Sequence, residues 1–187
     1  LKKINNLADI YHGNFSLFQS LPDVWAIDQL HPIAPIHKLN QKPKRRAILN
    51  DITCDSDGMI SKFVLNEGIS NTLPVHEVKI DEDYFIGVFY VGAYQETLGD
   101  LHNLFGDTNV ISIKLQKDGN FKITHEQIGD KISEVLSYVE YKPEKLFKNF
   151  SKIVAKSLLA KKLKHNEKNK LLKSFKDSIE GYTYFEN

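Results

Sequence analysis

The sequence holds one cysteine, one methionine and one tryptophan in 187 residues. A single cysteine excludes an internal disulfide and fits a reducing compartment. An excess of either charge is also missing. Lys+Arg 25 against Asp+Glu 24 leaves a formal net charge of +1, so the chain as a whole is not built to bind a polyanion. No apolar run approaches the ~20 residues that span a bilayer. The opening stretch "LKKINNLADIYHGN" lacks the apolar core of a secretory signal. Together these absences point to a cytoplasmic protein. The first residue is Leu1 rather than Met, which reads as a piece of something longer. Apolar residues make up 41%, enough for one full core, or a core with a smaller appended unit.

What is present falls into two unlike parts. Residues 1–123 carry the prolines but one, most glycines and most short β-like runs. "RRAILNDIT" (45–53), "YFIGVFYV" (84–91) and "NVISIKL" (109–115) are rich in Val, Ile, Phe and Tyr and end in turn formers. "YFIGVFYV" is apolar almost throughout, which predicts a strand buried on both faces. "KLQKDGNFKI" (114–123) sets Asp-Gly between alternating segments, a hairpin signal. These runs predict antiparallel strands closed into a barrel or sandwich.

Residues 124–187 read as helical. Thr124 with Gln127 three positions on resembles a capping box. Ile128, Ile132, Val135, Leu136 and Val139 then recur at helical spacing. A second helix starts at Pro143 and Glu144, and a third covers "NEKNKLLKSFKDSIEG", ending at Gly181. Strands followed by helices predict an α+β fold with segregated parts. Residues 141–175 hold eleven lysines and two glutamates. Lysine clusters supply phosphate contacts to nucleic acids. These lysines fall mostly opposite the apolar stripe, however, with no aromatics among them. They read as a solvated helix face, so no nucleic-acid partner is expected.

Three stretches stand out. "NFSLFQSLPDVWAIDQLHPIAPI" (14–36) is dense in aromatics and prolines and includes Trp25, so it lines a pocket or interface or forms core. "DITCDSDGMI" (51–60) sets Cys54 among Asp51, Asp55 and Asp57. Nearby negative charge disfavours a thiolate and suits a cysteine that keeps a proton to hand over. The plain alternative is a small apolar residue at a strand end. A calcium loop does not fit, because Asp51 is too far upstream and the distal glutamate is missing. Zinc has no second cysteine. "GAYQETLGDLHNLFGD" (92–107) puts Tyr94 at the end of an expected strand, where free backbone amides suit a phosphate. Tyrosine packing at a helix start is the other reading. His102 with Glu96 or Asp100 does not share a helix face, so His102 reads as making local or interface hydrogen bonds.

The stretches "NFSLFQSLPDVWAIDQLHPIAPIHKL", "RRAILNDITCDSDGMI", "VGAYQETLGDLHNLFGDTN" and "GYTYFEN" resemble the C-terminal portion of bacterial biosynthetic arginine decarboxylase. That family belongs to the pyridoxal-phosphate enzymes of the alanine racemase and ornithine decarboxylase type. The resemblance implies a C-terminal β domain, with the family's (β/α)₈ barrel absent from this chain. It also implies an active site formed between subunits of a homo-oligomer, a dimer or tetramer. Cys54 matches the cysteine that protonates the substrate α-carbon after carbon dioxide leaves. Asp55 matches the acid that pairs with the cationic end of the substrate, and a guanidinium suits a carboxylate. Tyr94 matches the tyrosine that contacts the cofactor phosphate. The Schiff-base lysine and the glycine-rich phosphate loop belong to the barrel and have no match here. Where the family is usually aromatic and aliphatic this chain has "YHGN", with His12 and Gly13. Phe15 stands near the place of a substrate-touching acid of ornithine decarboxylases. The resemblance leaves open whether magnesium binds in this portion, and it implies no metal ligand here.

The implied function is decarboxylation of L-arginine to agmatine, early in polyamine and spermidine synthesis, with this piece inactive alone. The competing reading is an oligomerisation or assembly module, without chemistry of its own, of a decarboxylase of other basic amino acids. No membrane partner is expected under either.

Overall fold

A computed structural model describes residues 7–186, so the first six residues of the stretch read for a secretory signal, Leu1 included, lie outside it. The chain divides into two compact units, one up to Asn103 and one from Leu104 onward.

In the first unit the strands are β1 (Asp9–His12), β2 (Ile33–Pro35), β3 (Arg45–Asn50), β4 (Met59–Ile60), β5 (Phe63–Leu65), β6 (Gly68–Ser70), β7 (Leu73–Val75) and β8 (Ile86–Val88). The helices are α1 (Leu17–Ser20), α2 (Pro22–Ile27) and α3 (Tyr94–Leu98), followed by a tight turn at His102–Leu104. β3 is the hub. It pairs parallel with β1, from Asp9↔Ala47 to His12↔Asn50. It pairs antiparallel with β4 at Leu49↔Ile60 and with β7 at Arg45↔Val75. Alternation along β3 buries Ala47 and Leu49. Leu17, Leu21, Ile33, Ile60, Phe63, Leu73 and Val75 close the core around them.

The α+β class holds, but the closed barrel or sandwich of antiparallel strands does not. The described residues form one four-stranded sheet that includes a parallel pair, and three separate two-stranded pairs. The strands here run two to six residues. Pro35 ends β2 and Pro74 sits in the middle of β7, and neither can donate to a ladder, which disfavours further pairing. "YFIGVFYV" is corrected too. Only Ile86–Val88 is strand, because its partner β2 has just three residues. Phe85, Phe89, Tyr90 and Val91 are exposed, and the chain turns at Tyr90 with φ 59°.

The second unit holds β9 (Val110–Leu115), β10 (Phe121–Gln127), α4 (Ile132–Tyr138), α5 (Pro143–Leu159) and α6 (His165–Ile179). The hairpin expected at Asp-Gly forms, with Gly119 at φ 85° and Gln116 N donating to Asn120 O at 2.8 Å. Thr124 and Gln127 do not cap a helix; both lie in β10. Cross-strand pairing with β9 wins over the local cap, and Thr124 sits where the register shifts between Ile123 and His125. The α4 cap lies further on, where Lys131 N donates to the Glu134 carboxylate at 2.8 Å. α5 begins at Pro143 as its sequence predicts, and Phe150 of α5 stacks on Phe175 of α6 with centroids 4.2 Å apart. The units divide at Asn103/Leu104 and group the β9–β10 hairpin with the helices, whereas the sequence suggested 123/124. Among the described residues no helix is long and apolar enough to cross a membrane.

Candidate functional site

The site begins with a buried carboxylate. Asp51 is 3% exposed and follows directly on β3. Its Oδ2 accepts from Leu17 N at 2.8 Å, the first amide of α1. Its Oδ1 accepts from Thr53 N at 2.9 Å and Thr53 Oγ1 at 2.8 Å. Its own N–H donates to Gly58 O at 2.8 Å, and Ile52 N donates to Phe15 O at 3.1 Å. A buried carboxylate needs such donors to offset desolvation. One residue therefore ties the 51–58 loop together, its side chain holding Thr53 and the start of α1 and its backbone N–H holding Gly58. Ser16 completes that start as N-cap, accepting from Gln19 N.

Cys54 and Asp55 ride on this loop, and both are exposed. A second segment meets them. Asp100 N donates to Phe18 O at 3.1 Å, docking the chain after α3 onto α1. His102 then lies over Phe18, ring centroids 4.3 Å apart, and Trp25 meets the Phe18 ring edge-on at 5.3 Å. His102 Nε2 is hydrogen-bonded to Asp55 Oδ2. Asn103 adopts left-handed backbone, φ 56°, a region asparagine tolerates better than most residues. Its Nδ2 donates to Cys54 Sγ at 3.4 Å.

The carboxylates flanking Cys54 in sequence are thus differently employed in space. Asp51 is spent on backbone and Thr53, and Asp55 is shared with His102. The group bonded to the sulfur is a neutral amide. His102 was expected in local or interface bonds; its partner Asp55 lies 47 positions away. The sequence pattern does not single out His102 or Asn103 as a site residue. The one signal available was an asparagine between glycines in "GDLHNLFG".

Tyr94 starts α3 and is 77% exposed. Among the described residues the side-chain hydrogen bonds of Cys54 and Asp55 go to Asn103 and His102, not to Tyr94. Its neighbour Gln95 is buried and locks α3 to α2, bonding the Asp23 carboxylate through Nε2 and accepting from Asp23 N at 3.2 Å. A Cβ on Gly92 would meet nothing within 4 Å. Trp25, half exposed, belongs to the Phe18 cluster rather than to the core. His12 Nδ1 lies 3.5 Å from Asp51 O, and Gly13 N donates to Asn50 O at 2.8 Å, so "YHGN" continues β1 pairing towards the loop. Among the described residues no three His, Cys, Asp or Glu side chains gather as a metal-binding group.

Residues 132–185 match the arginine decarboxylase C-terminal helical extension. The biosynthetic arginine decarboxylase of Bacteroides thetaiotaomicron is 49% identical over 180 residues, which cover 96% of this chain and 28% of that protein. The one from Rhodopirellula baltica is 48% identical over 178 residues, 95% of this chain and 26% of the relative. The chain corresponds to the C-terminal portion of biosynthetic arginine decarboxylase. The crystal structure of the biosynthetic arginine decarboxylase SpeA from Campylobacter jejuni superposes with a TM-score of 0.82 at 33% identity, covering 95% of this chain and 29% of that one. The chain spans under a third of the length of these relatives.

Proposed function

We propose that this chain supplies part of the active site of a pyridoxal-phosphate-dependent arginine decarboxylase, forming agmatine and carbon dioxide from L-arginine. One observation carries the reading. Cys54 and Asp55 are adjacent and exposed on a loop whose base is pinned by a buried, triply bonded carboxylate. Rigid support beneath exposed reactive groups is what a site acting on an outside molecule requires.

In this reading Asp55 receives the guanidinium of arginine, and Cys54 holds the proton that its sulfur delivers to the α-carbon once carbon dioxide has left. When bound, pyridoxal phosphate would supply the electron sink that stabilises the electron pair left on that carbon until the proton arrives. Tyr94 fits a phosphate contact: its phenol is exposed and Gly92 beside it faces open space. The lysine that would anchor the cofactor belongs to the portion of the longer relatives that this chain does not match. The site is completed by that portion or by a second subunit, and the piece alone is inactive.

The test compares arginine, ornithine and lysine turnover by the full-length protein with its Asp55→Ala variant. Expected is a fall in kcat/KM for arginine of about ten- to hundredfold with arginine preference lost. Activity indifferent to Asp55 overturns the assignment. Cys54→Ala separates chemistry from assembly: it should misplace the proton while the oligomer persists.

A second reading, an assembly module, is favoured by the β9–β10 hairpin. Ile111, Ile113, Leu115, Phe121 and Ile123 are all exposed on it, and a lone hairpin is marginal in water. Both readings can hold together. Loss of assembly with intact Cys54 chemistry, in a variant carrying polar residues on this face, would separate them.

A further inference from the structure

Two consecutive residues address two consecutive residues. His102 holds Asp55, and Asn103 holds Cys54. The sequence separations are 47 and 49 positions, so the match is made by tertiary structure alone. We infer that the His102–Asn103 turn is a positioning element of the site, with His102 the residue that sets the Asp55 carboxylate for a cationic substrate. The inference rests on the proposed role of Asp55 and deepens it.

The geometry gives His102 little freedom. Its ring is laid over Phe18, itself buried in α1. The backbone just before it is tied to the same helix by Asp100 N to Phe18 O. Gly99 permits that approach, because a Cβ there would stand 2.8 Å from Gln19 O. The imidazole thus projects from a fixed platform onto Oδ2 of Asp55 and leaves Oδ1 free of it. An aspartate at a loop surface otherwise samples several rotamers, and freezing one beforehand removes an entropy cost from substrate binding. With one oxygen taken, the carboxylate presents the other to the arriving N–H groups. Asn103 acts in the same way on the thiol: its N–H occupies a sulfur lone pair, and the S–H is left to point elsewhere.

The experiment uses the full-length decarboxylase with two substitutions. His102→Phe keeps a ring over Phe18 and deletes the hydrogen bond. His102→Gln keeps an N–H donor and deletes the ring. Steady-state kinetics with arginine should show KM raised about tenfold in His102→Phe, with kcat within about threefold of the parent. His102→Gln should recover most of the loss. In the Asp55→Asn background, His102→Phe should add nothing further. An unchanged KM in His102→Phe, where Asp55→Asn alone raises it, overturns the inference and spares the role of Asp55. An unchanged KM in Asp55→Asn overturns the underlying reading and this one with it. Equal loss in the Phe and Gln variants, in kcat as much as in KM, means a merely structural histidine and also overturns it.

Discussion

A side chain on Gly58 would collide with Asp51: a Cβ built there lies 2.1 Å from Oδ1. The glycine is therefore a condition for the buried carboxylate, and the carboxylate in turn holds the loop that bears Cys54 and Asp55. Gly58→Ala should displace the Asp51 carboxylate and destabilise the protein by about 1–3 kcal/mol. Urea denaturation measures the loss. Arginine KM should rise in the same variant, because the loop moves with Asp51.

Asp51→Asn keeps the shape and removes the charge that three donors share. An amide offers one acceptor oxygen where the carboxylate offered two. The Leu17 amide or the Thr53 pair is left unsatisfied, at a cost of about 1–3 kcal/mol. Hydrogen exchange of the Leu17 amide should accelerate. Unchanged protection there would mean that the bond contributes nothing.

Tyr11 and Tyr182 contribute to the dependence of stability on high pH. Burial raises both phenols above the ordinary 10.0, and Asp9 adds to the rise at Tyr11. A folded-state value above the unfolded one gives stability that is whole below pH 10 and lost as pH climbs through the folded value. Tyr11→Phe should flatten that alkaline fall. It should also cost about 1 kcal/mol at neutral pH, since Tyr11 OH donates to His76 O at 2.7 Å. Denaturation curves at neutral and alkaline pH for parent and variant check both statements.

Tyr184, buried near the end of the described chain, donates from its hydroxyl to Gly106 O at 2.8 Å and stacks on Phe105 with centroids 5.2 Å apart. Tyr184→Phe keeps the stack and orphans the carbonyl. The expected loss is about 1–2 kcal/mol, read as a lower thermal midpoint. Tyr184→Leu should cost more, because the stack goes as well.

The sequence by itself determined the pieces whose cause is local. Pro143 with an apolar period starts α5 where Pro143 stands, and Asp-Gly makes the β9–β10 turn. The β-rich run at 45–53 yields β3. The motif stretches carry the resemblance to biosynthetic arginine decarboxylase that the relatives share. Local signals failed where a neighbouring chain segment overruled them. Thr124 was drawn into β10 by its strand partner, and "YFIGVFYV" was cut to three residues by a short one. The barrel or sandwich failed because strand closure depends on which edges find partners, and two of the strands carry proline. Only the tertiary structure decided that Asp51 would turn inward while Asp55 turned outward, although both acids flank the same cysteine in sequence. It alone carried His102 and Asn103 to Asp55 and Cys54. Contacts across more than forty residues follow no period of 2 or 3.6. They exist because β3, α1 and the segment after α3 pack on one another, and packing depends on the whole chain.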